Sequence, residues 1–403
     1  MKVTLNDIQK AQISIQKFIN HTACEFSNSC TQIVGSEVYL KLENSQRTGS
    51  FKMRGATNKI LNLTDAEKKN GVIACSAGNH AQGVALSSKL NGVQSVIVMP
   101  ETASLSKIQA TKNYGAEVIL HGQFFDEAKD YAYKLAGEKG YTFVHPFEDE
   151  YVIAGQGTLG LEILDQVKNL DSIVVPIGGG GLISGIAVAV KALNPKVRII
   201  GVQSEVANSM SLLFKTHVMP QTASFTSILA DGIAIKNPSP VMYESFIKKY
   251  VDDIVTVSDV QIAEAIVFLI ERAKTVAEGS GAVAVAAALS HHKSLGLGKR
   301  TCLLVCGGNI DLNIISQVIQ RGQIQRGRLC ELSVIAPDVP GSLSRLTQVL
   351  AEQRANVLEV HHDRIRSGLN LKETRIDFVI ETTSLQHIEL IRQAMIQLGA
   401  KII

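Results

Sequence analysis

From about Leu61 to Val305 the chain alternates short β-branched runs with amphipathic segments, and few folds accept that pattern. Val72–Cys75, Ser95–Met99, Glu117–Leu120, Ser172–Val175, Arg198–Val202 and Thr301–Val305 read as buried strands. Ala81–Leu90, Lys107–Tyr114, Asp126–Gly137 and Asp259–Thr275 read as helices. A parallel strand reaches its neighbour only through a long crossover, which a helix supplies. The alternation therefore predicts an α/β class built on largely parallel sheets. Ligands in such folds sit beyond the carboxyl ends of the strands, so the strand-to-helix turns are where chemistry is expected.

Three turns stand out. Ser76-Ala77-Gly78-Asn79-His80 follows a predicted strand and opens a helix, which sets backbone N–H groups and a hydroxyl where a carboxylate can bind. It also reads as an ordinary strand-to-helix turn. Gly178-Gly179-Gly180-Gly181-Leu182-Ile183-Ser184-Gly185 lets the backbone close on a phosphate at a helix N-terminus. It matches neither a Walker A loop nor a GxGxxG fingerprint. Cys306-Gly307-Gly308-Asn309 follows the strand Thr301–Val305, where a cysteine is either a small filler or a group at the ligand end of the sheet.

Lys52 lies in Ser50-Phe51-Lys52-Met53-Arg54-Gly55, after an aromatic residue and at the start of a predicted helix over Arg54–Asn62. A lysine among apolar neighbours loses its charge readily and becomes an amine nucleophile and Schiff-base former. A solvated surface lysine is the plain alternative. In company with a carboxylate cradle and a phosphate cradle, it predicts pyridoxal 5'-phosphate chemistry on an amino acid.

Composition closes off other classes. The 403 residues suffice for two or three domains, and 45% hydrophobic with 19% charged residues is an ordinary globular balance. The net charge of +3 forms no basic block, which argues against nucleic acid and membrane surfaces. Ser172–Val190 carries no charge and mimics a membrane span, but Pro176 and its glycines divide it into strand, loop and helix start. The six cysteines show no metal-ligand spacing and read as free thiols in a reducing compartment. With no signal-peptide core in Met1–Asp7, the expected location is the cytoplasm. No metal is expected. His21, His121, His145, His361 and His362 read as solvated or core residues, whereas the turn of His80 borders the expected substrate.

Past Gln320 the character changes. Residues 321–328 are basic and glycine-punctuated and read as a linker between a 1–320 catalytic domain and a 329–403 domain. The latter gives strand Leu329–Ala336, helix Ser342–Arg354, strands Asn356–Arg364 and Lys372–Thr382, a helix capped by Ser384, and a short last strand. Leu343, Leu346, Val349 and Leu350 share one face of the first helix; Ile388, Ile391, Met395 and Leu398 point inward from the second. This βαββαβ order is the ferredoxin-like unit.

Ser-Phe-Lys-Met-Arg-Gly-Ala at 50–56, Ser-Ala-Gly-Asn-His-Ala-Gln-Gly at 76–83, the glycines at 178–181 and Cys-Gly-Gly-Asn at 306–309 together resemble the threonine/serine dehydratase family. The resemblance covers about residues 5–320 and implies the two-lobed type II pyridoxal phosphate fold of the tryptophan synthase β group. It implies that Lys52 holds the cofactor as a Schiff base and serves as general base. Phe51 would pack on the ring, Asn79 would bond its 3-hydroxyl, Gly178, Gly179, Gly180 and Gly181 its phosphate, and Cys306 would face the ring nitrogen. Ser76, Ala77, Gly78, Asn79 and His80 would receive the substrate carboxylate. The implied reaction is β-elimination of threonine, and of serine, to a 2-oxo acid and ammonia. Serine racemases of the family carry a second serine where this chain has Ala77, and acidic metal ligands where it has Gln203, Ala207 and Ser209; both departures favour a dehydratase. Glu278-Gly279-Ser280-Gly281 borders the active site by resemblance and is equally a plain helix start. The rival readings are a serine-preferring dehydratase, a β-replacement enzyme on the same fold, and an amino-acid sensor on a retained scaffold.

The C-terminal unit resembles an ACT domain, with Asp338-Val339-Pro340-Gly341 at its first strand–helix turn and Ala355-Asn356-Val357 opening the next strand. That implies an amino-acid effector at Asp338, Val339, Pro340 and Gly341, and a homodimer or homotetramer. A well-capped helix start is the simpler alternative for the same turn.

Overall fold

The computed structural model describes residues 1–222, 229–365 and 369–403. They form two compact units, Met1–Asp311 and Leu312–Ile403. The division falls earlier than the sequence implies, because the helix Leu312–Gln325 runs through the first part of the expected linker.

The first unit contains two sheets. One has four parallel strands in the order Glu117–Leu120, Ser95–Met99, Val72–Cys75, Thr142–Phe143. The other has six, in the order Cys24–Phe26, Glu37–Leu42, Arg300–Val305, Ser172–Pro176, Arg198–Ser204, Asp253–Val257. All six are parallel except the edge strand Cys24–Phe26, which runs antiparallel to Glu37–Leu42. The parallel α/β expectation holds. Pattern reading missed four strands: Cys24–Phe26, Glu37–Leu42, Thr142–Phe143 and Asp253–Val257.

Helix Glu150–Gln166 ties the lobes together and is almost wholly buried. A Cβ at Gly155 would stand 2.7 Å from both Arg54 O and Gly55 Cα, so this helix and Lys52–Leu61 meet backbone to backbone. On its other side it packs against Gly181–Leu193, where a Cβ at Gly185 would lie 2.4 Å from Ile153 O. Beneath Lys52–Leu61 lies a dry polar cluster. Arg54 donates to both oxygens of Glu43 (2.8 and 2.8 Å) and both of Glu162 (2.6 and 2.9 Å), and Lys41 Nζ donates to Glu162 Oε2 at 2.7 Å. Lys41, Glu43, Arg54 and Glu162 are all buried.

The expected helix over Asp259–Thr275 is α-helical only to Phe268; a π turn spans Leu269–Ala273 and Lys274 adopts φ 55°. Asn44 Nδ2 explains the break by donating to Thr275 Oγ1 (2.6 Å) and Val276 O (2.8 Å), which redirects the chain.

In the second unit the strand order is Asn356–Asp363, Glu373–Glu381, Leu329–Pro337, Lys401–Ile402, antiparallel throughout. Helices Ser342–Glu352 and Leu385–Gln397 complete the βαββαβ arrangement, with Leu346, Leu350, Ile376, Phe378, Ile391 and Met395 in its core. Leu398, expected inward, is exposed, because the helix ends before it.

Among the described residues no helix is long and apolar enough to cross a membrane.

Candidate active site

The site is assembled around one backbone seam. Ser50 pairs with Gly307 in an antiparallel bridge, Phe51 N donates to Cys306 O at 3.1 Å, and Gly308 N donates to Gly49 O at 2.9 Å. The seam joins the turn after Arg300–Val305 to the segment that opens helix Lys52–Leu61. It brings Lys52 and Cys306 together although they lie far apart in the sequence.

Lys52 Nζ donates to Pro146 O at 3.0 Å and lies 5.3 Å from the Phe51 ring centroid. Its side chain is half-buried. Burial pulls its amine down to about 8, against the pull of Cys306 and Glu278 in the other direction. The lysine is thus within reach of its neutral, nucleophilic form near physiological pH. Cys306 is buried and donates to Ser280 O at 3.4 Å; burial and the Glu278 carboxyl hold its thiol well above the ordinary range. It is a neutral group.

The turn after Val72–Cys75 stands across from Lys52. Ser76 Oγ accepts from Gly78 N at 3.2 Å, and Gly78 precedes helix Asn79–Leu90, whose first N–H groups have no partner within the helix. Ser76, Ala77, Gly78 and Asn79 are all half-buried. His80 is buried, and its Nε2 donates to Val144 O at 2.8 Å. Burial, then the Lys52 charge, lower its pKa to about 3, so the ring stays neutral and faces the core.

The tetraglycine opens helix Gly181–Leu193, with Gly180 at φ 97°. Only glycine fits here. A Cβ at Gly179 would lie 2.2 Å from the Phe147 ring, and at Gly178 3.0 Å from Ile233 Cα. Ser184 Oγ, in the first turn of that helix, is buried without a hydrogen-bond partner.

Sequence reasoning passed over Pro146 and Phe147, gave Asn309 no role within its motif, and left Glu278 open. Glu278 precedes helix Gly279–Leu295 but its side chain does not cap it. Instead Glu278 Oε1 accepts from Asn79 Nδ2 at 2.6 Å and from Ser280 Oγ at 2.8 Å. Burial raises its carboxyl to about 7, eased by the Ser280 hydrogen bond. An acidic residue just ahead of a Gly-Ser-Gly helix start, in a buried apolar run, was the available signal.

In the second unit, Asp338, Val339, Pro340 and Gly341 line an open concavity of about 800 Å³, together with Thr347 and Arg364. Gly341 takes φ 86° as the residue before helix Ser342–Glu352, and Arg364 Nε pairs with Asp338 Oδ1 at 3.1 Å.

Comparison with known proteins agrees with this chemistry. Residues 15–307 match the pyridoxal-phosphate dependent enzyme family, and residues 331–400 match the ACT domain. The chain is 46% identical over 400 residues to an L-threonine ammonia-lyase of Thermotoga maritima, covering 99% of each. Maize serine racemase is similar in structure, with a TM-score of 0.75 and 33% identity over 81% of this chain and 99% of that one. So is the processed form of threonine deaminase isoform 2 from Solanum lycopersicum, at 0.73 and 33% over 80% and 91%. The chain belongs to the pyridoxal-phosphate dependent enzymes and carries a C-terminal ACT domain.

Proposed function

We propose that this protein is a threonine ammonia-lyase that converts L-threonine to 2-oxobutanoate and ammonia, and L-serine to pyruvate. The observation that carries the reading is Lys52: a buried amine near pH 8, held by one backbone carbonyl, in a cleft that also contains a glycine-only loop. The residues present suit pyridoxal phosphate. The glycine loop and the unpartnered Ser184 hydroxyl at a helix start suit its phosphate, and the depressed Lys52 amine suits its aldehyde.

When bound, the cofactor supplies an electron sink for charge at the substrate α-carbon. The chain's own groups do the rest. Lys52 Nζ, once freed, takes the α-proton, a role worth typically ~10²–10⁴-fold, and Pro146 O orients the amine. The 76–80 turn would bind the substrate carboxylate through free N–H groups and Ser76, and Asn79 would hold the ring hydroxyl. The neutral Cys306 thiol would face the ring nitrogen, where it would supply no full negative charge to hold a proton there, which favours elimination. Ala77 gives the turn no second side-chain proton carrier, which favours elimination over racemisation. One methyl group is worth only ~1–3 kcal/mol of discrimination, so both hydroxy amino acids are turned over.

The test is 2-oxo acid release from L-threonine and L-serine, wild type beside Lys52→Ala. Oxobutanoate from threonine that disappears in the variant is expected; oxo acid from neither substrate would overturn the reading. Regulation is part of the same proposal: a homodimer or homotetramer in the cytoplasm, with an amino acid bound at Asp338–Gly341. Titration calorimetry with isoleucine, valine and serine checks it, and heat from one of them should be lost in Asp338→Ala.

A further inference from the structure

A continuous line of polar side chains links the 306–309 turn, the 76–80 turn and the start of helix Gly279–Leu295. Asn309 Nδ2 donates to Asn79 Oδ1 at 2.7 Å and to Thr48 O at 2.7 Å. Asn79 Nδ2 donates in turn to Glu278 Oε1 at 2.6 Å, where Ser280 Oγ also arrives at 2.8 Å. Three segments distant in sequence meet on one amide.

A side-chain amide offers two N–H donors and one acceptor oxygen. For Asn79 the oxygen is engaged by Asn309 and one N–H by Glu278, which leaves a single N–H unassigned. Rotating the amide by half a turn would set its oxygen against the Glu278 carboxylate and its NH2 against that of Asn309. Both contacts would become repulsive, so the pair fixes one orientation. The glycine after Cys306 serves the same end: a Cβ at Gly307 would stand 2.4 Å from Glu278 Oε1 and 3.2 Å from Asn79 Nδ2. In Cys306-Gly307-Gly308-Asn309, then, Gly307 makes room for the carboxylate and Asn309 grips the far side of the amide.

We propose that Glu278 and Asn309 are positioning residues that clamp the Asn79 amide with its one remaining N–H toward the ring hydroxyl of the cofactor. This rests on the proposed contact between Asn79 and that hydroxyl. Neither residue needs to touch the cofactor itself. The clamp also explains why a carboxyl is buried here with only neutral hydrogen-bond partners, Asn79 and Ser280, rather than a cation.

A double-mutant cycle tests the clamp. Asn79→Ala, Glu278→Ala, Asn309→Ala and the Asn79→Ala/Glu278→Ala pair are titrated with pyridoxal phosphate, reading the dissociation constant and the visible absorption band. Each single change should weaken binding roughly tenfold, as for one hydrogen bond. The pair should be no weaker than Asn79→Ala alone, because Glu278 acts through Asn79. Glu278→Gln keeps an acceptor oxygen and should restore most of the affinity, even where Glu278→Ala folds poorly. Effects that multiply to about a hundredfold in the pair overturn the clamp. So does a Glu278→Gln protein as weak as Asn79→Ala, or a Glu278→Ala protein with unchanged affinity and band beside an impaired Asn79→Ala. If Asn79→Ala itself binds normally, the proposed hydroxyl contact fails and the clamp falls with it, an outcome distinct from the others.

Discussion

Lys52 and Arg54 stand two residues apart on one helix, about 200° around its axis, and meet the problem of a buried cation in opposite ways. Arg54 faces the packed interior, where Glu43 and Glu162 each accept two hydrogen bonds from it. Burial works against its charge, but the two carboxylates more than offset this and raise its pKa. Lys41 joins the same cluster, so two cations face two carboxylates. Lys52 faces the cleft, where its hydrogen-bond partner is a backbone carbonyl and burial prevails, to about 8. One region is neutralised pair by pair and is inert. The other keeps Lys52 and Glu278 partly uncompensated, and perturbed groups of that kind mark working sites. The inert cluster also serves the reactive one, since it anchors the helix from which Lys52 projects.

The comparison breaks most visibly at Arg54. Arg54→Met should leave the buried Glu43 carboxylate without a cation, Lys41 still holding Glu162, and cost about 3–5 kcal/mol, read as a lower urea midpoint of the cofactor-free protein. Arg54→Met with Glu43→Gln should recover much of that loss, since Lys41 and Glu162 then remain as a balanced pair. A variant of unchanged stability would mean that the cluster carries no charge balance.

Lys52→Met should do the reverse. The folded amine titrates near 8 and the unfolded one near 10.5, so the unfolded chain binds more protons between those values. Wild-type stability therefore rises with pH across that window. The variant should be more stable by roughly 3 kcal/mol below pH 8, an advantage that fades by pH 10.5. Glu278→Gln should show the mirror pattern. The carboxyl titrates near 7 when folded and 4.5 when unfolded, so its contribution to stability is full below 4.5 and lost as pH rises through 7. The glutamine form should gain about 3 kcal/mol at pH 8 and nothing by pH 4.5, checked by denaturation at several pH values.

These residues also mark how far the sequence could be read. Strands flanked by turns, such as Val72–Cys75 and Ser95–Met99, are apolar throughout and are legible from local pattern, as is the alternation of Glu373–Glu381. Strand Glu37–Leu42 breaks the local apolar pattern with Lys41, which is buried against Glu162, 121 residues later. The same limit applies to Glu278. Nothing near it in sequence reveals Asn79, 199 residues away, so a helix start and an active-site border looked alike. Lys52, Asn79 and the tetraglycine stood out because each sits at a helix start whose local chemistry is unusual. Pro146 and Phe147 did not, since Pro146 acts through its backbone carbonyl and Phe147 through shape against Gly179.

The smallest of these effects is also the most selective probe of the reactive side. Ser280 Oγ donates to the oxygen of Glu278 that Asn79 also holds, and this bond favours the carboxylate over the acid. Ser280→Ala should push the Glu278 carboxyl further up from about 7. At pH 8, where the carboxylate needs the bond, the loss should be about 1 kcal/mol of cofactor-free stability. Near pH 5 both proteins hold a protonated Glu278 and the gap should narrow. In a Glu278→Gln background the serine loses its charged acceptor, and the pH dependence of its effect should vanish. The equivalent change across the helix, Thr158→Val beside Arg54, removes a 3.2 Å contact to a cation already held by two carboxylates. Its cost should not vary between pH 5 and pH 8, because the groups it touches stay charged throughout. A pH-dependent Thr158→Val, or a pH-independent Ser280→Ala, would erase the distinction between the paired side of this helix and the reactive one.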